Sequence, residues 1–526
     1  MSPGAALSPA PDTGDDRSRA QEPGAATAAD WRRLDRRTVL VSALVTAGVV
    51  AGAAVPTTLG LSGRFGLGAA VAWVLAGSVL LIGSAAAGDL VRWRRTRYRI
   101  GAERVDLHTG LFLVKKRSLA RERIRSVDLT AHLLQRALGL VTVRIGTGEH
   151  SGNDSTLELD PVPRAEGERL RRELLARTAT GTPGSHREGE LVALDPRWIR
   201  YAPVSFVAPA LGGAAAGAVM QVSDWFGAQG QVIEWIGDRF RDTSLTVMIV
   251  ILAVAAVAAG VVGALGLWVE MWWNYRLERE PGGTLRIRRG LLTSRSVSIE
   301  ERRLRGVDLV EPLGIRTFGA ARIDAITTGL AKDDEEQHGD HNTLLPAAPR
   351  TVADAVAADV LREATSPTGA PLTGHPLAAR GRRLRRACWA VLVPVAVLAI
   401  LGVLLTPVLL RIALGCAVVG LPAGVLLARD AYRGLGHAIS GDYLVVRSGT
   451  VRRSTAALER AGVIGWTVRQ TYFQRRAGVL SVTATTAAGS GAYTAYDTDA
   501  GEGLDFASKA VPGLLEPFLE RVPPAG

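Results

Sequence analysis

The sequence predicts an α+β membrane protein in which six transmembrane helices form three hairpins, each followed by a small β-barrel or sandwich domain capped by a C-terminal helix. Three observations predict this architecture. The 526 residues exceed the roughly 250 to 300 over which one core usually extends. Apolar residues make up 47% of the chain and charged residues 21%, which indicates apolar blocks between polar ones. The soluble segments also repeat one another.

Six apolar windows are each close to or longer than the roughly 18 to 20 residues that cross a bilayer. They fall into three pairs. The connection within the first pair is only Ser62 to Gly66, and within the third it is little more than Thr406-Pro407, so each pair is predicted to be a helical hairpin. The window at 202–222 is the weakest because glycines interrupt it. The windows are about 38–62, 66–93, 202–222, 243–273, 385–406 and 407–428.

The flanking charges predict the orientation, since arginine and lysine favour the cytoplasmic side. Four arginines between Arg92 and Arg97 follow the first hairpin, and five between Arg380 and Arg386 precede the third. The loop from Gln221 to Asp242 is acidic overall. We therefore expect a multi-pass protein of the plasma membrane with both termini and all soluble domains in the cytoplasm. The composition of the first 30 residues suits a disordered tail. These residues lack the basic-then-apolar order of a cleavable signal peptide.

The sequence contains three copies of one repeated unit, and these copies define the domain organisation. The third copy has diverged most, because Gly462 and Ile464 stand where the first has Arg123 and Arg125. Matching elements include Gly110-Leu111 with Gly290-Leu291, Val127-Asp128-Leu129 with Val307-Asp308-Leu309, Gly139 with Gly319 and Gly478, and Gln135-Arg136 with Gln474-Arg475. The predicted boundaries are 1–37 tail, 38–96 hairpin 1, 97–180 domain 1, 181–200 linker, 201–274 hairpin 2, 275–365 domain 2, 366–383 linker, 384–430 hairpin 3 and 431–523 domain 3.

Each soluble segment shows the same internal order. Runs that alternate polar and apolar residues, such as Arg104 to His108 and Leu140 to Ile145, predict half-buried strands. A helical pattern closes each copy, at 164–177, 351–364 and 503–521. This order predicts a small barrel or sandwich capped by one helix.

The first copy resembles a known bacterial domain. Its pattern is Tyr98-Arg99-Ile100, then Gly110-Leu111, then Arg123 to Asp128, then Leu134-Gln135-Arg136-Ala137-Leu138-Gly139. This pattern is similar to the bacterial pleckstrin-homology-like (PH-like) domain of the YdbS/YdbT family, in which a transmembrane hairpin leads into the domain. The resemblance implies this fold and a membrane location. It further implies a role in envelope integrity or in resistance to membrane-active compounds, and a smaller one-hairpin relative as partner.

Basic residues cluster close to the predicted membrane exits. Each basic residue near an anionic leaflet adds about 1 kcal/mol of attraction, so such clusters are candidates for contact with lipid or with a partner. The arginines at 123 and 125, and those at 303 and 305, are expected to share one strand face. Ion pairing with Asp128 and Asp308 and a merely solvated surface are the alternatives. The candidate contact residues are Lys115, Lys116, Arg117, Arg123, Arg125, Arg303 and Arg305.

Other motifs are weaker. The acidic and histidine-rich segment 333–341 has metal-ligand types, but the repeat places it in a variable loop, so no metal site is predicted. Gly213 and Gly217 have the spacing of close helix packing. Cys388 and Cys416 lie in apolar stretches and suit neither a disulfide nor a zinc site. We expect no catalytic group and no cofactor, because no nucleophile motif or phosphate loop is present.

The sequence thus favours a non-enzymatic membrane scaffold whose cytoplasmic domains contact a partner protein or the anionic inner leaflet. The alternative is a six-helix transporter or lipid-handling protein, for which the candidate residue is Arg411, an ionisable residue about four residues inside the edge of a predicted span. The net charge of +12 does not favour nucleic acid, because the positive residues concentrate at the membrane exits.

Overall fold

The computed structural model describes most of the chain. The described residues are 31–101, 103–110, 115–124, 126–146, 156–175, 189–204, 207–225, 228–328 and 342–519.

The first repeat begins with a two-residue strand, which two long apolar helices follow. A three-strand meander, a second three-strand meander and a closing helix follow, and a short helix lies between the first two strands of the second meander. Its elements are β1 (Arg32–Arg33), α1 (Arg37–Phe65), α2 (Leu67–Arg95), β2 (Arg97–Ile100), β3 (Arg104–Thr109), β4 (Lys115–Ala120), β5 (Ser126–Ala131), α3 (Leu133–Ala137), β6 (Leu140–Gly146), β7 (Thr156–Pro163) and α4 (Arg164–Leu175).

The second repeat follows the same order, with an additional helix between its first and last helices. Its elements are β8 (Gly189–Ala193), α5 (Val207–Trp225), α6 (Gln229–Arg239), α7 (Leu245–Trp272), β9 (Arg276–Glu280), β10 (Thr284–Arg289), β11 (Ser294–Glu300), β12 (Leu304–Pro312), α8 (Leu313–Thr317), β13 (Ala320–Thr327), β14 (Thr343–Pro349) and α9 (Arg350–Leu361).

The third repeat has the same order again, without the additional helix and, in the part of the chain that the structure describes, without a strand before its helices. Its elements are α10 (Leu377–Leu404), α11 (Pro407–Arg433), β15 (Gly436–Ser440), β16 (Tyr443–Ser448), β17 (Arg452–Glu459), β18 (Val463–Arg469), α12 (Tyr472–Arg476), β19 (Val479–Thr486), β20 (Ala492–Asp499) and α13 (Ala500–Ala510).

Within the described residues, five helices are long and apolar enough to cross a membrane: α1, α2, α7, α10 and α11. The sequence predicted six spans. The helix at the weakest window, α5, does not reach this level of hydropathy, although it packs against α7. Gly212 and Gly260 permit that close approach, since a Cβ at Gly212 would lie 2.2 Å from the Ala256 carbonyl oxygen.

The packing contact between α5 and α7 is not where the sequence pattern placed it. Nothing lies within 4 Å of a Cβ added at Gly213 or Gly217. The small residues at the contact are instead Gly212 and Gly260, because the side of α5 that faces α7 is shifted by one residue.

Glycine is required at two of the repeated positions for a backbone reason. Gly139, Gly319 and Gly478 end the short helix of each domain with φ of 71°, 67° and 66°, a left-handed conformation that glycine adopts without steric cost. Gly290 and Gly449 begin a tight turn, where a Cβ would lie 1.9 Å and 2.1 Å from a carbonyl oxygen. These glycines are therefore part of the scaffold of the repeat.

The described strands form four antiparallel sheets, and two of these sheets extend from one domain into the next. Their strand orders are β1-β2-β3-β4, β7-β6-β5-β11-β10-β9-β8, β14-β13-β12-β17-β16-β15 and β18-β19-β20. The second meander of one domain therefore continues into the first meander of the following domain.

The hydrophobic cores of the second and third domains are also shared between the two domains. Val445 and Ala457 of the third domain belong to the core cluster of the second, and Ile326 of the second belongs to that of the third. The first domain has a cluster of its own, around residues such as Val127, Leu159 and Leu170.

Two segments predicted as linkers are partly built into the domains. In 181–200, β8 pairs with β9, and Trp198 is 4% exposed in the second core. In 366–383, the Nε2 atom of His375 lies 3.2 Å from the Nδ1 atom of His437, which is on β15. The alternation of polar and apolar residues in β8 is too short for the sequence to distinguish a strand from a polar linker.

The last helix is shorter than the predicted 503–521. It ends at Ala510, because Pro512 disfavours a helical conformation at the residue before it and Gly513 adopts a φ of +85°. The 3-10 turn Glu516–Phe518 follows.

Candidate functional site

The first domain is joined to the second by strand pairing, which we call the first join. Strand β5 pairs antiparallel with β11, and Leu129 lies opposite Ser296. The joined strands form a seven-stranded sheet. Each strand supplies the backbone partners that the other would otherwise leave exposed at a sheet edge.

The second join connects the second and third domains in the same way. Strand β12 pairs with β17 over seven residue pairs, and Leu309 lies opposite Thr455. Leu129 and Leu309 occupy the same position in the repeat. Ser296 and Thr455 both lie four residues before the end of their strand. The two joins therefore have the same register.

A cluster of two arginines and two glutamates crosses the first join. Arg171 on α4 is 3% exposed, and its two terminal nitrogens lie 2.7 Å and 3.0 Å from the carboxylate of Glu280 on β9. Arg286 on β10 lies 2.5 Å from Glu168 on α4 and 3.1 Å from Glu280. Burial opposes the ionisation of Glu280, but hydrogen bonds and charge from Arg171 and Arg286 keep the pKa of Glu280 below its usual value.

Each join also holds one partly buried aspartate, at equivalent positions of the repeat. Burial raises the pKa of Asp128 on β5 to about 7, although the Ser298 backbone hydrogen bond and the charge of Arg144 act against it. Burial likewise raises the pKa of Asp308 on β12 to about 6, while the Ser454 hydroxyl donates a hydrogen bond to it. Among the described contacts neither aspartate pairs with the arginines at 123, 303 or 305, which is the alternative considered for these arginines. These carboxyl groups therefore weaken the joins when they ionise.

The first and the last of the four sheets each have one edge strand that corresponds to a join strand of the other domains. Strand β4 is the last strand of the first sheet, and β18 is the first strand of the last sheet. Strands β11 and β17, which correspond to β4 in the repeat, both lie in a join, as do β5 and β12, which correspond to β18. Strands β4 and β18 therefore occupy the positions of the repeat that form joins elsewhere. Among the described strands, neither has a partner on its outer side.

Three of the candidate basic residues lie on β4. Lys115 opens this strand, Lys116 pairs with His108 and Arg117 with Leu107 on β3. Lys116 is exposed and Arg117 is half-buried. Arg123 is exposed in the 3-10 turn Arg121–Arg123 that follows, whereas Arg125 lies outside the described residues. The structure thus places a basic strand at the outer edge of the first domain.

Arg303 and Arg305 do not share a strand face, contrary to the prediction. Arg303 lies in the 3-10 turn Glu301–Arg303, and Arg305 lies on β12. Arg303 donates a hydrogen bond of 3.2 Å to the Ile124 carbonyl of the first domain, and Arg305 forms an ion pair of 2.7 Å with Glu459 of the third. The two arginines therefore connect the central domain to its two neighbours.

A basic cavity of about 250 Å³ lies at the first join. Asn274, which follows α7, forms part of its wall, so the cavity is close to the end of a membrane helix. Glu168 is the one acidic residue among the described residues that line it. The arginines that line it are Arg136, Arg164, Arg276, Arg286, Arg288, Arg289 and Arg295.

The glutamine of the Gln-Arg element that the first and third copies share has a structural role. Gln474 is 4% exposed, and its side-chain nitrogen donates to Ser481 at 3.0 Å and to Asp497 at 2.9 Å. Its side-chain oxygen accepts from the Thr471 backbone, which completes a capping box. Gln135 makes the equivalent contacts in the first domain. In the second domain Ile315, which is 5% exposed, belongs to the apolar core.

We expect Gln474→Leu to destabilise the third domain by about 1 to 3 kcal/mol, because buried polar partners would lose a hydrogen-bond donor. Hydrogen exchange of the full-length protein in detergent should then increase in α12 and β19. The exposed Gln470 is the matched control, and Gln470→Leu should change stability by less than about 0.5 kcal/mol. Equal exchange in both variants would show that the motif has another role.

No cluster of three or more metal-ligand side chains occurs among the described residues. The acidic segment 333–341 lies outside them. Cys388 and Cys416 are free thiols in α10 and α11.

The repeated architecture agrees with comparisons to known proteins. The bacterial PH domain model matches the chain three times, at residues 48–178, 232–364 and 391–512. The chain belongs to the bacterial PH domain family. Each match to this PH domain model begins in a helix that precedes the sheets and ends near or beyond a closing helix, so the recurring unit includes membrane helix and soluble domain together.

One curated relative matches this chain over most of the length of both proteins. The chain is 22% identical over 440 residues to the "UPF0699 transmembrane protein YdbT" of Bacillus subtilis (strain 168), which covers 81% of this chain and 84% of the relative. No solved structure matches the chain. The protein is therefore a membrane protein with repeated bacterial PH domains.

The joins and their ionic cluster were not predicted from the sequence. A partial signal was present, because Arg286 and Arg288 occupy alternate positions of β10 beside apolar residues. Such alternation shows that charged residues share one face of a strand. It does not show that the helix of a different domain covers that face.

Proposed function

We propose that this protein is a non-enzymatic membrane scaffold that holds a rigid array of three cytoplasmic PH-like domains against the inner leaflet and presents it to a partner protein. In this proposal α5 and α7 form the second of three membrane hairpins. A role in envelope integrity, or in resistance to membrane-active compounds, would follow from such an array.

The observation that carries this proposal is the attachment of the domains to the helix ends. The carboxylate of Glu270 on α7 accepts hydrogen bonds from the Leu292 and Thr293 backbone at 2.8 Å and 3.0 Å. Asp430 on α11 accepts from Thr450 at 2.8 Å. In both repeats the same turn of the first meander is thus fixed to the helix, which holds the domain in one orientation. Together with the two joins, these contacts favour a single array over separately moving domains.

The charge distribution supports contact with anionic lipid. Lys116 and Arg123 lie at the basic edge of the first domain. Arg164 and Arg295 line the basic cavity beside the end of α7. Phosphate-bearing headgroups are the anions that such surfaces would meet at an inner leaflet.

We expect charge reversal at these surfaces to reduce lipid retention. In the Lys116→Glu/Arg123→Glu and Arg164→Glu/Arg295→Glu variants, removing attraction of about 1 kcal/mol per residue should lower bound anionic phospholipid about tenfold or more. The measurement is the amount of anionic lipid that remains with the full-length protein after purification from native membranes. Arg239→Glu/Arg241→Glu is the matched control, because these exposed arginines lie in the loop assigned to the opposite side. Equal retention in all variants would contradict the leaflet contact.

A further inference from the structure

We propose that β18 is a third join, at which the PH-like domain of a separate membrane protein continues the sheet of this chain. This inference rests on the proposed function and specifies the surface for its partner. In each of the first two domains, the first strand of the second meander pairs with the third strand of the domain that follows. In the third domain that strand is β18, and no further domain follows it among the described residues.

The exposure of β18 differs from that of its counterparts in the two joins. Val468 occupies the position of Leu129 and Leu309 in the repeat. Leu129 is 5% exposed and Leu309 is fully buried, whereas Val468 is 41% exposed. On the same strand Ile464 is 63% exposed. An apolar strand edge of this kind is a template for pairing with another chain.

Within the described part of the chain, the short helix beside β18 makes no interdomain contact like that of its counterparts. In the first join Arg136 on α3 donates to the Leu291 carbonyl of the next domain at 2.8 Å. In the second join the Leu313 backbone on α8 donates to the Val451 carbonyl of the next domain at 2.7 Å. On α12 the aromatic rings of Tyr472 and Phe473 are each 70% exposed. We infer that they contact the corresponding turn of the docked domain.

The register of the joins identifies the type of strand that fits β18. The partner strand is the third strand of a PH-like domain, and the residue four positions before its end lies opposite Val468. In a second copy of this protein that strand would be β4. Lys116 would then lie opposite Val468 and Lys115 opposite Arg469. Like charges directly opposite on paired strands are destabilising, so the occupant is a separate chain whose strand is uncharged or acidic at that position.

Site-specific photocrosslinking in native membranes tests this inference. A photoreactive phenylalanine analogue replaces Thr467, which lies at the centre of β18 and is exposed, in the full-length chain. Peptide mapping of the product should identify the third strand of a PH-like domain in a different protein. The same analogue at Phe518, which is 83% exposed, gives the background.

Two sets of variants make the result specific. Tyr472→Ser/Phe473→Ser and Ile464→Lys/Val468→Lys should each lower the crosslink yield about tenfold, the change expected for a loss of binding that raises Kd tenfold. Because Tyr472 and Phe473 are exposed, the first variant should keep the exchange pattern of the third domain unchanged. A crosslink to Lys115–Ala120 of a second copy, a crosslink to lipid, or a yield no higher than at Phe518 would each overturn the inference. Lipid retention by the basic surfaces is measured separately, so a failure here leaves the leaflet contact standing.

Discussion

Replacing Arg171 by methionine should open the first join. Arg171 is almost fully buried and bridges Glu280 and Glu168 across two domains. Methionine preserves much of its apolar bulk but leaves both glutamates with Arg286 as their main cation. Removing one partner of a buried ion pair costs about 3 to 5 kcal/mol. Hydrogen exchange in β5 and β11 of the full-length protein in detergent should therefore be faster by a factor of about 100 or more.

The matched control for this variant is on the same helix. Arg169 pairs with Glu166 at 2.7 Å, but its side chain is 45% exposed. Exposed pairs contribute about 0 to 1 kcal/mol, so Arg169→Met should leave the exchange of β5 and β11 nearly unchanged. If the two variants behaved alike, the ionic cluster would not be what holds the first join together.

Replacing Asp128 by asparagine should stabilise the same join above neutral pH. The unfolded chain releases the proton of Asp128 near its ordinary pKa of 3.8, whereas the folded join holds it until a pKa of about 7. The folded state therefore loses stability as the pH rises through this window, and it is weakest above pH 7. The shift corresponds to roughly 4 kcal/mol. Asparagine has the same shape and no charge to bury.

The measurement is the exchange rate of β5 and β11 between pH 5 and 8, corrected for the intrinsic effect of pH on exchange. In the unmodified protein the join should open more readily as the pH rises, and in Asp128→Asn this dependence should be lost. Asp308→Asn should have a similar effect at the second join, over a window that ends near the pKa of about 6. Asp505→Asn, at an exposed pair with Lys509 on the last helix, should leave the pH dependence intact. An unchanged slope in Asp128→Asn would show that the carboxyl group is solvated.

Much of the domain architecture could be predicted from sequence because it is encoded locally. The apolar windows predict helices by their length. Gly139, Gly319 and Gly478 recur because the end of each short helix needs a left-handed residue. The low hydropathy of α5 also has a local origin, because glycine lowers the hydropathy of a helix while it permits close packing.

The joins could not be predicted in this way. Strand alternation shows which residues share a face, but it does not show which strand lies beside which. Leu129 and Ser296 are distant in sequence and belong to different repeats, so their pairing depends on tertiary structure. For the same reason Arg303 and Arg305, expected to form one basic face, instead connect the central domain to two different neighbours.

The pairing of β5 with β11 also determines how the protein can be made. While only the first domain has been synthesised, β5 has no β11 beside it and presents an open edge. Translation from Leu129 to Ser296 takes about 10 to 30 seconds at the usual 5 to 20 residues per second, and α7 lies within that stretch. Each nascent domain thus waits for the next membrane helix before its sheet is complete. Nascent chains that stall in this interval should be the ones that aggregate or need a chaperone at the membrane.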